Sequence, residues 1–151
     1  MPQYKSGNIW TEYGKPNSTI LVTTCGVILN GKLVMGAGAA LDAKLREPEL
    51  PALFGSLIKR YGSMDNNIGN YALLYDTDRK INAFQTKYHY KHDSSVDLIS
   101  MAAKQLAFIA ELTPNKTFNL TFPGIGFGRL NPESVKPLLA GLPDNVIIWS
   151  K

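Results

Sequence analysis

Apolar and β-branched residues crowd into one short early run, STILVTT from Ser18 to Thr24, with Pro16 and Asn17 just ahead of it. An unbroken apolar run of that length between turn residues predicts a buried strand. CGVILNGKLV follows as a hairpin-like or irregular piece, and Asn30-Gly31 inside it is a strong signal for a tight turn. Gly36 to about Arg46 then reads as a helix that ends ahead of Pro48. PALFGSLIKRYG reads as a second helix, with Pro51 in its first turn and Gly62 at its end. SMDNNIGN is polar and contains glycine, which predicts a loop.

YALLYD (Tyr71 to Asp76) and INAFQTK (Ile81 to Lys87) predict two strands joined by TDRK as an antiparallel hairpin. Ile99, Ala102, Ala103, Leu106, Ile109 and Ala110 recur at helical spacing and give a long helix one apolar face. Ser94 is the expected cap, with Asp97 as its acidic partner, and Pro114 stops the helix. TFNLTF (Thr117 to Phe122) alternates as a strand and runs into PGIGFGR. Asn131 then caps a helix with Pro132 in first position and Gly141 closing it, and NVIIWS (Asn145 to Ser150) is a final strand. Strands alternating with helices predict an α/β chain whose sheet is flanked by helices, partly parallel with antiparallel pieces. No repeat, low-complexity segment or linker divides it, so residues 1–151 are expected to form one domain.

The bulk properties narrow this picture. A chain of 151 residues can bury a core without staples, and its single cysteine, Cys25, excludes an internal disulfide framework. No apolar run approaches the roughly 20 residues of a membrane span. MPQYKSGNIW lacks the apolar stretch of a secretory leader, so a cytoplasmic monomer without membrane contact is expected. A net charge of +4 mildly favours polyanionic partners.

Three segments fall at strand ends, where open α/β sheets gather their ligands. In VMGAGAALDAKL, small residues stand where an apolar loop turns into a helix. They serve either tight packing or close approach of backbone amides to a phosphate. In PGIGFGRL, Gly124, Gly126 and Gly128 make either an ordinary glycine-rich turn or a set of amides curled around an anion. Neither cluster continues as a GK[ST] loop, and the first does not read GxGxxG. In QTKYHYKH, Lys87 is either a solvated lysine or a nucleophile and anchor beside a phosphate-rich ligand. Two histidines, His89 and His92, do not suffice for a closed zinc site, and no metal or cofactor is expected. Cys25 reads as structural or ligand-lining rather than nucleophilic. A basic edge of Arg79, Lys80, Lys87 and Lys91 would serve nucleic-acid binding.

KSGNIW, ILVTTC, VMGAGAALDAKL, INAFQTKYHY and LTFPGIGFGRLNPESV stand in the order of a macro domain, and the chain resembles that family over nearly its whole length. The match is weakest from about Pro48 to Asn70. It is similar above all to the branch of the terminal ADP-ribose glycohydrolase and the antitoxins that remove ADP-ribose from DNA. The resemblance implies a mixed central β-sheet sandwiched between helices, with ADP-ribose bound across the strand ends.

Position by position, it implies a first phosphate loop of Met35, Gly36, Ala37, Gly38 and Ala39. The second, around the diphosphate and distal ribose, comprises Pro123, Gly124, Ile125, Gly126, Phe127 and Gly128. Asn8 stands where the family has an adenine-binding aspartate, with Ile9 beside it in the adenine pocket. Thr24 and Cys25 stand where other members place a ribose-contacting asparagine, and Thr86 precedes Lys87, which matches the lysine used against the anomeric carbon. No carboxylate lies between Gly128 and Asn131, where glutamate-directed members carry one; Glu133 falls beyond, on the helix start. The implied activity is hydrolytic removal of ADP-ribosyl groups from nucleic acid or protein, with Lys87 catalytic. A non-catalytic ADP-ribose reader and an ADP-ribose 1″-phosphate phosphatase are the alternatives.

Overall fold

The computed structural model describes residues 1–151 and begins with a strand that hydrophobic patterning does not reveal. β1 (Gln3–Ser6) is exposed along its length and exists because it pairs in parallel with the last strand of the chain. β2 (Ser18–Thr24) is the expected buried run. β3 (Ile28–Leu29) and β4 (Lys32–Leu33) form a hairpin whose Asn30 and Gly31 both take positive φ, +54° and +77°, as a two-residue primed turn requires. α1 (Gly38–Arg46) starts two residues later than Gly36, because Ala37 is still extended. α2 (Leu50–Tyr61) carries Pro51 in its first turn.

SMDNNIGN is a hairpin rather than a loop: β5 (Ser63–Asp65) pairs antiparallel with β6 (Ile68–Asn70) around Asn66 at φ +56°. Its strands carry too few apolar residues to show a period. The strand expected over Tyr71 to Asp76 shrinks to β7 (Leu73–Leu74), antiparallel to β8 (Ile81–Gln85). The cause is Gln85, whose Oε1 accepts from both Tyr71 N (3.0 Å) and Ala72 N (3.1 Å), while Ala72 turns to φ +58°. α3 (Val96–Leu112) is capped by Ser95 and not Ser94: Ser95 Oγ accepts from Leu98 N at 3.3 Å. Ser94 is held elsewhere, its amide donating to Gly128 O at 2.9 Å. β9 (Thr117–Thr121) follows. α4 (Pro132–Leu139) is capped by Asn131, whose Oδ1 accepts from Glu133 N at 2.9 Å, and ends ahead of Gly141. β10 (Val146–Ser150) closes the chain.

The main sheet runs β1-β10-β9-β2-β8-β7, parallel throughout except for β7. Side chains alternate across it. Ile20, Val22, Ile81 and Ala83 meet Ala40, Ala43, Phe54 and Ile58 of α1 and α2 on one face. On the other, Leu21, Phe84, Phe118 and Ile148 meet Ile99, Leu106 and Leu139 of α3 and α4. Helices therefore sandwich a mixed sheet, as expected. No helix is long and apolar enough to cross a membrane.

The parallel strands have a second consequence. Arg79 and Lys80 precede β8 while Lys87 and Lys91 follow it, so roughly 20 Å of strand separates the two pairs. The single basic edge expected from the sequence does not form; the four cations sit at opposite ends of the sheet.

Candidate functional site

Because β1, β10, β9, β2 and β8 all point the same way, the segments that follow them share one edge of the sheet. Both glycine clusters and Lys87 come to that edge. In the first cluster Met35 is buried and anchors the loop, while Gly36, Ala37 and Gly38 are exposed. Gly38 has φ +58°, a conformation that admits a side chain only with strain. Ala37 is the helix cap and has no side chain to offer, so the amides of Gly38, Ala39 and Ala40 find no acceptor in the protein. Those donors and the positive end of the α1 dipole favour an anion there.

The second cluster is shaped by packing beneath it. Pro123 and Gly124 are buried, and a Cβ on Gly124 would come within 2.8 Å of Ile99 Cδ1. Gly126 (φ +64°) opens one 3₁₀ turn through Gly128, where a Cβ would collide with Ser94 Oγ. Leu130 N donates back to Gly124 O at 2.8 Å and closes the turn. The amides of Ile125, Gly126 and Phe127 donate to no protein acceptor. Phe127 is 74% exposed, and its ring lies 3.8 Å from where a Gly38 Cβ would stand. The two turns are neighbours, each with free amides.

Lys87 joins them. Its Nζ donates to Phe127 O at 2.9 Å and reaches Tyr90 O at 3.5 Å. Burial pushes its pKa below the ordinary lysine range; Cys25 opposes that shift, Arg129 adds to it, and Asp93 opposes it. Asp93 lies 3.9 Å from Arg129, so the carboxylate that bears on the amine comes from the loop ahead of α3 and not from the second turn. Glu133 is occupied with Lys136 at 3.5 Å.

The remaining expected residues divide. Thr24 and Thr86 are buried and spent on the scaffold: Thr24 Oγ1 shares a 2.5 Å hydrogen bond with Tyr71 Oη, and Thr86 N donates to Thr24 O at 2.9 Å. Cys25 is buried, its thiol pushed up by that burial, and donates to Val34 O at 3.5 Å, under the first loop. Ile9 packs into the core. Asn8 is exposed at the end of β1, but its Oδ1 already accepts from Trp10 N at 3.0 Å. Four strand spacings, about 19 Å, separate β1 from β8, with the second turn between them. That span suits an elongated ligand laid across the strand ends. His89 and His92 rings lie 5.2 Å apart, and no group of three or more His, Cys, Asp or Glu comes together anywhere.

Sequence reasoning missed Asp93, and it missed the cleft of about 390 Å³ between Tyr88 and the β5–β6 hairpin, beside Lys87. Gln85 builds that wall, its Nε2 donating to both Gly69 O (2.9 Å) and Lys87 O (3.0 Å). A buried glutamine beside TK was the one available signal.

No protein-family model and no curated protein matches this chain by sequence. Solved structures do match by shape. The macrodomain of Mycobacterium tuberculosis DarG superposes with a TM-score of 0.71 at 24% identity, covering 100% of this chain and 98% of that one. The fold is that of a macrodomain. The Thermus aquaticus DarG macrodomain gives 0.68 at 24% identity over 99% of this chain and 96% of that one. Thermosipho africanus DarTG, solved in complex with ADP-ribose, gives 0.69 at 20% identity over 97% of this chain and 41% of its own. A macrodomain core with its two glycine turns at the carboxyl edge is thus the frame in which Lys87 sits.

Proposed function

We propose that this chain binds ADP-ribose across the carboxyl edge of its sheet and hydrolytically releases ADP-ribosyl groups from a macromolecular acceptor, nucleic acid or protein, in the cytoplasm. Two turns with unspent amides, side by side, supply what a diphosphate needs without any Walker-type lysine. The single observation that carries the reading is Lys87 Nζ held at 2.9 Å on the second turn, where a sugar attached to that diphosphate would lie. The ADP-ribose held by the Thermosipho africanus relative, which shares this fold, supports the choice of ligand.

Burial shifts the Lys87 amine toward the neutral form that attack requires. The amine nitrogen bonds to the anomeric carbon, the bond to the acceptor breaks, and the acceptor leaves with the electron pair and takes a proton. Water then cleaves the lysine adduct, returning free ADP-ribose and the amine. In its protonated form the same amine can instead stabilise the departing group through its charge. The acceptor side falls to Tyr88 and the β5–β6 hairpin.

Incubation with ADP-ribosylated DNA and ADP-ribosylated protein in parallel tests this: release of ADP-ribose that Lys87→Ala abolishes is the expected result. The absence of a carboxylate in the second turn favours one other reading, recognition without turnover. In that case calorimetry detects ADP-ribose binding while neither substrate is consumed.

A further inference from the structure

The opposite end of the sheet holds a cleft of about 580 Å³ that the site above does not use. It opens where β2, β8 and β9 begin, between the turns that lead into them. Four cations line it, Lys15, Arg79, Lys80 and Lys116, against one carboxylate, Asp78, and Leu112 is its one hydrophobic side chain.

Aromatic rings back three of these cations. Lys116 Nζ donates to Thr77 O at 2.6 Å and stands 5.4 Å from the Tyr75 ring. Lys80 stands 5.7 Å from the Tyr13 ring and makes no ion pair. Arg79 donates to Asn82 Oδ1 at 3.0 Å and lies 5.7 Å from the Phe54 ring; burial disfavours its charge, while Asp76 and Glu47 support it. Lys15 is the one neutralised directly, by Glu12 at 2.8 Å. The negative end of α3 abuts the cleft, but Asn145 Nδ2 covers it by donating to Ala110 O, Thr113 O and Lys116 O at 3.0–3.1 Å.

A site for a drug-like or aromatic molecule needs apolar walls, and this cleft has almost none. It offers instead three held cations together with the hydroxyls of Ser18 and Thr77, while Thr113 Oγ1 is spent on Ile109 O at 2.8 Å. A single small anion would engage only part of it. We propose that the cleft binds an extended phosphate chain through Arg79, Lys80 and Lys116, either consecutive phosphates of a nucleic-acid backbone or a free oligophosphate.

The test uses the full chain and two probes: inorganic tripolyphosphate by calorimetry, and a labelled single-stranded DNA oligonucleotide by fluorescence anisotropy across a salt series. At least one probe is expected to bind. Lys80→Gln with Lys116→Gln should weaken it by roughly tenfold, and three phosphate contacts give the oligonucleotide a log–log salt slope of about −2. ADP-ribose affinity in the same variant should stay at the wild-type value, which also reports that the protein is folded. Binding of tripolyphosphate alone assigns a free oligophosphate, and binding of the oligonucleotide with the expected slope assigns the backbone. If neither probe binds at low salt, or if a folded Lys80→Gln/Lys116→Gln protein binds as wild type does, the proposal is overturned.

Discussion

Lys87 Nζ donates to the carbonyl oxygen of Phe127 across 2.9 Å, and that bond ties the end of β8 to the second glycine turn. The amine assigned to the sugar is thus also the tether of the loop assigned to the diphosphate. On the proposed reading, a ligand that takes the amine would release the turn and couple binding to loop position through one side chain.

Lys87→Met and Lys87→Arg separate the two roles. On the attack route both should lose turnover by at least about a hundredfold, since neither provides a neutral amine at working pH. Arginine retains a donor for Phe127 O, so its ADP-ribose affinity should remain near wild type while that of methionine falls. Single-turnover assays beside calorimetry read the split.

The same amine fixes a pH dependence. Its pKa is held below the ordinary lysine range, chiefly by burial. On the attack route the rate therefore rises with pH and levels off once the amine has lost its proton. Asp93 favours the protonated form and Arg129 opposes it, so Asp93→Asn both removes the favourable charge and frees the unfavourable one. Its pH–rate profile should move to lower pH. A move to higher pH would remove Asp93 from the site.

Gly38→Val places a β-branched residue at φ +58°, with its Cβ in ordinary contact with the Phe127 ring. The backbone strain alone costs about 1–2 kcal/mol. ADP-ribose affinity should fall as well, because relief of that strain moves the free amides of Gly38 and Ala39. Comparison of urea denaturation with ligand titration measures both quantities.

Tyr71→Phe probes the support beneath the site. Tyr71 Oη shares a hydrogen bond with Thr24 Oγ1 and donates to Cys25 O, both at 2.5 Å and both buried. Its loss leaves buried polar atoms without a partner and should cost about 1–3 kcal/mol in urea denaturation.

What the sequence reveals follows from how local each signal is. The apolar run of β2, the Asn30-Gly31 turn and the Asn131-Pro132 cap are written in adjacent residues, and each appears in the structure as expected. β1 and the β5–β6 hairpin depend on partners rather than on their own apolar content, so a polar, exposed QYKS or SMD carries no periodic mark. Ser94 and Ser95 are equal as caps by composition; Gly128, reaching back from the second turn, decides between them. The glycine turns and Lys87 stand out in the sequence by residue type, and the structure brings them to one edge of the sheet. Asp93 does not stand out, because its influence on Lys87 exists only once the loop ahead of α3 folds beside the second turn. The division of the four cations between two ends of the molecule likewise needed the direction of β8.

The central claim is that the turns at Gly38 and Gly126 hold one diphosphate between them. Amide chemical shifts followed during titration with ADP-ribose test it most directly. The account predicts that the amides of Gly38, Ala39, Gly126 and Phe127 shift together and saturate on a single binding curve, with the Lys87 side chain following it. Response of one turn without the other, or two turns saturating at different ligand concentrations, would contradict it.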